Sequence, residues 1–311
     1  MGKLKLLYST LDDENYIHEY KKYFKSELSK QSNVEVRYIT NGGNVKDILA
    51  ELDFKPDFIY IDELFKNCKP IQGLNNINIP IGVMYHDLHS NQNKFRKLIK
   101  EYQPELIFVH YRDYFISEFP ELEHKSRWLP HFVHNELYKD YHLKKDIDYL
   151  LLGATTEKYY PLRNAIMNKM TGKKGFVYHK HPGYRYFSET EKKTMFIGGN
   201  YAREISRSKI FFTDDLIYKY PIKKYFEVPA CKTLLLASGS QELRDLGFLD
   251  EETFVEINQK NYYKKAKYYL QNEKERMKIA QQGYEMVHTR HTTEIRVKQF
   301  LEYISQALHL R

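Results

Sequence analysis

The chain has 311 residues, which is more than one ordinary hydrophobic core supports, so we expect two domains of roughly 150 residues each. Its formal net charge of +8 favours anionic partners such as nucleotides, polyanionic polymers or acidic lipid surfaces, although a solvated basic surface gives the same count. The 28 Tyr and 18 Phe supply enough apolar area for two cores and exclude a disordered chain.

The cysteines and the first residues predict the cellular compartment. Cys68 and Cys231 are far apart and have no metal-ligand spacing, which is typical of a reduced intracellular chain. The start of the chain lacks a cleavage pattern, and no apolar stretch approaches the ~20 residues of a membrane span. We therefore expect a cytoplasmic protein without a transmembrane segment.

The first half of the chain alternates predicted strands with helical segments. Short, near-continuous apolar runs are typical of strands buried on both faces. They occupy residues 5–9, 34–40, 58–62, 79–86 and 106–111. Apolar residues at helical spacing follow the first and fourth runs, at 12–28 and 93–102. This alternation predicts a parallel, doubly wound sheet.

The pattern breaks at residues 127–148, which contain Pro, His and charged residues without clean periodicity, and then restarts. The second set of predicted strands occupies residues 148–153, 176–180, 209–214, 232–238 and 253–258. Near the end, Asn272 and Glu275 have the spacing of a capping box, and Met277 is placed on an apolar helix face.

We therefore predict an α/β fold of two doubly wound, Rossmann-like domains with a cleft between them, where nucleotides and phosphates bind. Residues 1–140 form the N-terminal, acceptor-side domain and residues 141–290 the C-terminal donor domain. Residues 291–311 form a C-terminal helix that packs back on the first domain.

Glu227 lies on an apolar segment, residues 222–230, that leads into the predicted strand 232–238. A carboxylate at the edge of such a sheet can accept both cis hydroxyls of a ribose with its two oxygens. The alternative is a surface pair with Lys223 or Lys224, which stabilises a helix by only a few tenths of a kcal/mol.

A turn of small residues, Ser238, Gly239 and Ser240, follows the strand and precedes a helical segment. Its backbone N–H groups and the positive end of the helix suit a diphosphate. The turn lacks both a Walker pattern and a dinucleotide-binding glycine pattern, and many plain turns look the same.

The stretch "KKYFEVPACKTLLLASGSQEL", residues 223–243, resembles the donor-site signature of CgeB-like spore maturation glycosyltransferases. Three other segments resemble two-domain glycosyltransferases in the same order. They are "WLPHFVHNELY", "DYLLLGATTEKYYPLRNAI" and "QQGYEMVHTRHTTEIRVKQFLEYI". The resemblance covers roughly residues 80–305 and is most specific around 222–242.

This resemblance implies the GT-B fold of the group 1 type, a hexosyltransferase activity, a nucleotide-diphosphate sugar as donor with UDP favoured, retention at the anomeric carbon, and no metal or cofactor. It assigns Glu227 to the ribose, Lys224 to a position near the diphosphate, and the 238–240 turn to the phosphates. The chain also departs from the pattern: Lys219 stands where the retaining group has a second Glu, and Lys232 replaces the usual Gly after Cys231.

Several other residues are candidates for the donor site. His181 lies in a basic Pro-Gly turn with Lys180 and Arg185, and Arg163 opens the helix after Gly153, although a basic loop without a ligand is an equal alternative. The complete set of predicted donor-binding residues is Gly153, Arg163, His181, Lys224, Tyr225, Glu227, Ser238, Gly239 and Ser240.

In the first domain, His86 and Asp87 end a strand, and either of them is a candidate acid or base that meets the sugar or the acceptor hydroxyl. His110 has a weaker claim. A metal site with His89 is disfavoured because a distant fourth ligand is missing, and a strand end with solvated histidines remains open.

Two classes of function follow. The first is a glycosyltransferase with an unknown acceptor, such as an anionic polymer, a glycan, a protein or DNA. The second is a nucleic-acid-binding protein, or a non-catalytic nucleotide-sugar binder, on the same fold. The charge of +8 and the many Tyr motivate the second class, but the aromatic residues mostly follow core periodicity.

Overall fold

The computed structural model describes residues 2–11, 20–65 and 70–309. They form two compact units, the first containing 2–11, 21–65, 70–130 and 296–309, and the second containing residue 20 and 131–295. The second unit begins earlier than the predicted boundary at residue 140. One reason is that the Val133 N–H donates to the His291 carbonyl at 2.9 Å, within the second unit. Cys68 and residues 12–19 lie outside the described residues.

The first unit contains a six-stranded parallel sheet in the order β2-β1-β4-β6-β7-β8, and a separate parallel pair, β3 with β5. The strands are β1 (Leu4–Ser9), β2 (Val34–Ile39), β3 (Gly43–Asn44), β4 (Phe58–Ile61), β5 (Ile71–Gln72), β6 (Ile81–Tyr85), β7 (Leu106–Val109) and β8 (Ser126–Trp128). All five predicted runs are strands, and the sequence did not predict β3, β5 and β8.

The helices of the first unit cover this sheet. They are α1 (Tyr20–Ser29), α2 (Val45–Ala50), α3 (Gln92–Tyr102) and α4 (Arg112–Glu118), with 3₁₀ turns at Leu74–Asn76 and Pro120–Lys125. Helix α3 shows the helical spacing directly, because Phe95, Ile99 and Tyr102 are its buried residues while its lysines are exposed.

The second unit has a five-stranded parallel sheet in the order β10-β9-β11-β12-β13. Its strands are β9 (Ile147–Leu152), β10 (Phe176–His179), β11 (Ser208–Phe212), β12 (Leu234–Ala237) and β13 (Val255–Glu256). Leu150, Leu151 and Phe211 are completely buried, as expected for a sheet with helices on both faces. Each predicted strand of the second half is present.

The helices of the second unit are α5 (Pro161–Met170), α6 (Glu189–Thr194), α7 (Gly198–Arg207), α8 (Lys224–Ala230), α9 (Gln241–Asp245), α10 (Tyr262–Gln271) and α11 (Glu273–Arg290). The predicted capping box at α11 is wrong, because the Asn272 side chain makes no cap and its amide donates to the Tyr268 carbonyl at 2.8 Å. Met277 is 57% exposed, so it does not belong to the apolar face of α11.

The last helix, α12 (Thr293–His309), contributes its residues from 296 onward to the first unit. There the Phe300 ring lies 4.8 Å from the Tyr60 ring and 5.1 Å from the Phe108 ring, so α12 packs on the first sheet through aromatic contacts. Among the described residues, no helix is long and apolar enough to cross a membrane.

Helix α8 carries Lys224 and Glu227, and its position depends on close packing with α11. A Cβ added at Gly283 on α11 would collide with the backbone carbonyl of Thr253 and lie 3.2 Å from Pro229 on α8. Only a residue without a side chain lets the two helices approach this closely.

We expect Gly283→Ala to destabilise the protein by about 1–3 kcal/mol, because the added methyl group overpacks this contact. Urea unfolding followed by circular dichroism measures the change. Gly199→Ala on α7 is the matched control, since nothing lies within 4 Å of an added Cβ there. Equal midpoints for the two variants would contradict the packing argument.

Candidate functional site

Several of the predicted donor-binding residues meet at the carboxyl edge of the second sheet. Gly153 follows β9 with φ of +134°, a conformation that favours glycine. A Cβ added there would lie 3.4 Å from Arg163 Nη1, 3.4 Å from Lys224 Cε and 3.5 Å from Lys224 Nζ. The end of β9 therefore lies directly against two basic side chains.

Arg163 stabilises this edge of the sheet through its contacts with Asp214. Only 2% of the residue is exposed, and its Nε lies 2.9 Å from Asp214 Oδ1. Its backbone N–H also donates to Asp214 Oδ2 at 3.2 Å, which ties the first turn of α5 to the end of β11. Because Asp214 neutralises the guanidinium, Arg163 supports the site and offers little free charge to a ligand.

Lys224 supplies a second basic side chain at this edge of the sheet. It is half-buried, and its ammonium has no hydrogen bond or ion pair with any described residue, although it lies 5.9 Å from the centre of the Tyr201 ring. Burial and, to a smaller extent, the charge of Arg163 lower the pKa of Lys224 to about 8, against the opposing effects of Glu227 and Asp214. Burying this charge destabilises the fold at pH values below about 8, and a bound anion would offset the cost.

His181 adds a neutral donor on the loop after β10. Its Nδ1 accepts the Gly183 N–H at 3.0 Å, so the neutral ring carries its proton on Nε2. Burial lowers the pKa of His181 to about 4, and the nearby charges of Lys224 and Arg163 contribute to the shift. The ring is therefore neutral at pH 7, with an N–H group that can donate to an oxygen.

Glu227 is 9% exposed, and two tyrosines hold its carboxylate. The Tyr138 hydroxyl donates to Oε1 at 3.2 Å and the Tyr201 hydroxyl to Oε2 at 2.9 Å. The surface-pair alternative is wrong, because the residue is buried and Lys223 instead lies 3.4 Å from the centre of the Tyr20 ring. Each carboxylate oxygen keeps a further lone pair, so both can still accept a ligand hydroxyl.

The sequence reasoning missed Tyr138 and Tyr201. Tyr138 belongs to the irregular segment after the first unit, and Tyr201 lies on α7, which the sequence reasoning did not predict as an element. Burial raises the pKa of both hydroxyls well above the usual value, and the charge of Glu227 adds to the effect. Both groups therefore remain protonated donors at neutral pH.

Tyr225 and the turn after β12 are engaged within the fold. Tyr225 is completely buried, and its hydroxyl donates to the Ser238 carbonyl at 2.7 Å. The Ser238 hydroxyl donates to Asp215 Oδ1 at 2.6 Å, and the Ser240 hydroxyl accepts the Leu243 N–H at 3.2 Å as the cap of α9. Their side chains support the site but do not face a ligand.

Gly239, in the same turn, lies against the carboxylate of Glu256, which would collide with any added Cβ. Glu256 therefore places a negative charge beside the turn that the sequence assigned to the phosphates. Its negative charge opposes an anion at this turn, and Arg244 Nη1, 4.0 Å from Glu256 Oε2, offsets part of that charge.

In the first unit, His86 lies at the end of β6 within a buried polar cluster. Its Nε2–H donates to the Asp62 carbonyl at 2.7 Å, and the Asp62 carboxylate forms an ion pair with Lys21 at 2.8 Å. Burial and the charge of Lys21 lower the pKa of His86 to about 4, although Asp62 opposes the shift. The ring is neutral at pH 7, and its Nδ1 can accept a proton or a hydrogen bond.

Asp87 is partly exposed, and its carbonyl accepts the Ser90 N–H at 2.8 Å, which closes a turn. His110 is buried with its ring 5.3 Å from the His86 ring, and its Nδ1–H donates to the Leu129 carbonyl at 2.7 Å. Across the described part of the chain, no group of three or more His, Cys, Asp or Glu side chains is arranged to hold a metal ion.

Two comparisons with known protein sequences give one match. Residues 162–302 match the family model described as "Glycosyl transferase-like". A search of curated proteins found no match to the chain.

Solved structures share the fold along the whole chain. Sucrose-phosphate synthase from Thermosynechococcus elongatus has a TM-score of 0.70 at 12% identity, covering 99% of this chain and 100% of that one. A glycosyltransferase from Rickettsia africae has a TM-score of 0.63 at 10% identity, covering 99% of both chains. HepE from Anabaena, solved with UDP and glucose, has a TM-score of 0.61 at 9% identity, covering 97% of this chain and 100% of that one.

The predicted fold is therefore confirmed as the α/β, Rossmann-like GT-B fold, with parallel sheets in both units. The family match includes the segment that holds Arg163, His181, Lys224 and Glu227. Residues 162–302 match a glycosyl transferase-like family model, and the chain has the GT-B fold of the solved structures.

Proposed function

We propose that the protein transfers a hexose from a nucleotide-diphosphate sugar, with UDP as the favoured nucleotide, to an acceptor hydroxyl. The observation that carries this proposal is the half-buried ammonium of Lys224, which has no ion-pair partner among the described residues and lies beside Gly153. The presence of UDP and glucose in the HepE structure supports UDP as the nucleotide.

The donor is held by groups of the second unit. Glu227 accepts the two ribose hydroxyls, and Tyr138 and Tyr201 keep its carboxylate in position. Lys224 and the Nε2–H of His181 contact the diphosphate, and Gly153 lets the backbone at the end of β9 approach it. Glu256 beside Gly239 directs the phosphates away from the 238–240 turn.

The reaction breaks the bond between the anomeric carbon and the diphosphate oxygen, and a new bond forms from the same carbon to the acceptor oxygen. The protonated Lys224 stabilises the negative charge that develops on the departing diphosphate. The proton of the acceptor hydroxyl passes to the leaving phosphate oxygen or to a base. His86 and Asp87 are our candidates for a group that meets the sugar or the acceptor.

The finer assignments come from the sequence resemblance. Retention, independence of metals and cofactors, and membership of the CgeB-like spore maturation group are proposals, as is a cytoplasmic location. Lys219 stands where the retaining group has a Glu, and its ammonium lies 3.7 Å from the buried Asp215 carboxylate. The stereochemistry of the product therefore has to be measured directly.

We expect Glu227→Ala to weaken UDP binding by at least tenfold, because the ribose loses both of its hydrogen-bond acceptors. Calorimetry with UDP and with 2′,3′-dideoxy-UDP measures this effect. The dideoxy nucleotide should bind both proteins with similar affinity, since it lacks the hydroxyls. A loss of equal size for the two nucleotides would contradict the ribose assignment.

We expect UDP affinity to fall as the pH rises through about 8, because Lys224 then loses the proton that attracts the diphosphate. Lys224→Met should remove this pH dependence and should weaken UDP binding more than uridine binding. Glu256→Gln tests the alternative position of the phosphates, at the 238–240 turn beside Glu256. If it strengthens UDP binding while Lys224→Met has no effect, the phosphates lie at the 238–240 turn.

We expect His86→Asn to lower sugar transfer by one hundredfold or more while UDP still binds, because His86 is a candidate acid or base and none of the proposed UDP contacts involves it. UDP release from UDP-hexoses in the presence of candidate acceptors measures turnover, and NMR of the anomeric proton gives the stereochemistry. Unchanged turnover in both His86→Asn and Asp87→Asn would remove these residues from the mechanism. A wild-type protein that binds UDP-sugars without any turnover would instead be a non-catalytic binder.

A further inference from the structure

Three lysine side chains surround one tyrosine ring on the surface of the second unit. The ammonium groups of Lys173, Lys267 and Lys169 lie 5.4, 5.9 and 6.0 Å from the centre of the Tyr263 ring. All three lysines are exposed, and Tyr263 is half-buried. We call these four residues the lysine cluster.

The fold brings the lysine cluster together from two distant segments. Lys169 lies in the last turn of α5, and Lys173 follows in a turn where Gly172 has φ of +79°. Tyr263 and Lys267 are one helical turn apart on α10, so they share a face. The Tyr263 ring packs against the hydrophobic core of the second unit, which fixes the position of the cluster.

No carboxylate neutralises the cluster among the described residues: its three lysines form no ion pair. The nearby acids are paired with other lysines. Asp250 and Glu251 contact Lys265 at 3.5 and 3.2 Å, and Asp148 contacts Lys209 at 2.6 Å. Three like charges around one ring repel each other, and an anionic partner would remove this cost.

The cluster is separate from the donor site. Helix α5 has Arg163 in its first turn, against Gly153 at the carboxyl edge of the sheet, and Lys169 in its last turn. Lys173 precedes β10, whereas the donor-site loop with His181 follows that strand. The cluster therefore lies toward the amino edge of the sheet, at the opposite end of α5.

We propose that the lysine cluster binds the phosphate backbone of double-stranded DNA. The ring of Tyr263 is half-buried on the core and has lysines around it, so it offers no free face on which an unpaired base could stack. Lysines contact phosphates as point charges, whereas bidentate reading of base edges is more often the role of Arg. The binding is therefore independent of sequence, and it uses part of the net charge of +8.

A duplex fits the cluster better than an anionic bilayer does. Among the described residues, the exposed large apolar side chain closest in sequence to the cluster is Tyr268, whose hydroxyl donates to Glu275 at 2.7 Å. The cluster itself presents no apolar side chain that could enter a bilayer, so a membrane gains nothing there beyond the charge contacts that a duplex also makes.

The test measures binding of the whole chain to a fluorescent 20-base-pair duplex across a range of salt concentrations. The triple variant Lys169→Ala, Lys173→Ala, Lys267→Ala should bind at least tenfold more weakly at low salt. The slope of log affinity against log salt should fall by about 3, since each lost phosphate contact removes about 0.9. The matched control is Lys46→Ala, Lys97→Ala, Lys100→Ala, three exposed lysines of the first unit, and it should bind like the wild type.

Two outcomes would overturn the proposal. One is that the cluster variant and the control variant have the same affinity for the duplex and the same salt slope. The other is binding to phosphatidylglycerol vesicles that requires the three lysines, while binding to the duplex does not require them. The UDP affinity should be unchanged in both triple variants, so a failure of DNA binding is distinguishable from a failure of the donor site.

Discussion

The half-buried charge of Lys224, unpaired among the described residues, is the constraint on which the rest of the proposed donor site depends. A cation in this position costs folding free energy unless an anion compensates for it, and its lowered pKa expresses that cost. Arg163, only a short distance away, shows the contrast, because it forms an ion pair with Asp214 at 2.9 Å. The same edge of the sheet thus holds one basic side chain that stabilises the fold and one that remains available to a ligand.

Helix α8 carries Lys224 and Glu227 within one helical turn. Tyr225, Phe226 and Val228 are fully buried beside Lys224 and Glu227, so the apolar residues anchor the helix that carries the two charged groups. Glu227 is further held by two phenol hydroxyls, which keep its carboxylate oriented before a ligand arrives. This arrangement reduces the conformational entropy that donor binding would otherwise lose.

The histidines of the two units share one electrostatic feature. His86 and His181 both have their pKa lowered to about 4, mainly by burial, with a nearby lysine contributing in each case. Both rings are therefore neutral at physiological pH, with one nitrogen that donates and one that accepts. Neutral imidazoles suit contacts with hydroxyl and phosphate oxygens, whereas the protonated Lys224 supplies positive charge.

Much of the fold was predictable from the sequence, because strands buried on both faces appear as short apolar runs and the amphipathic helices repeat with a helical period. The sequence missed α7 and the very short strands, and it placed Asn272 and Met277 wrongly. Strands of two or three residues, such as β3, β5 and β8, leave too few residues for a periodic pattern, and their stability comes from neighbours distant in the chain.

The sequence by itself determined the class of fold and the positions of Lys224 and Glu227, since both follow from a contiguous segment. Only the tertiary structure decided which polar groups meet. It paired Arg163 with Asp214, brought Tyr138 and Tyr201 to Glu227, placed Glu256 against Gly239, and gathered three lysines around Tyr263. These contacts join residues far apart in the chain, and because no local pattern encodes such distances, the folded structure alone reveals which charges are neutralised and which remain available.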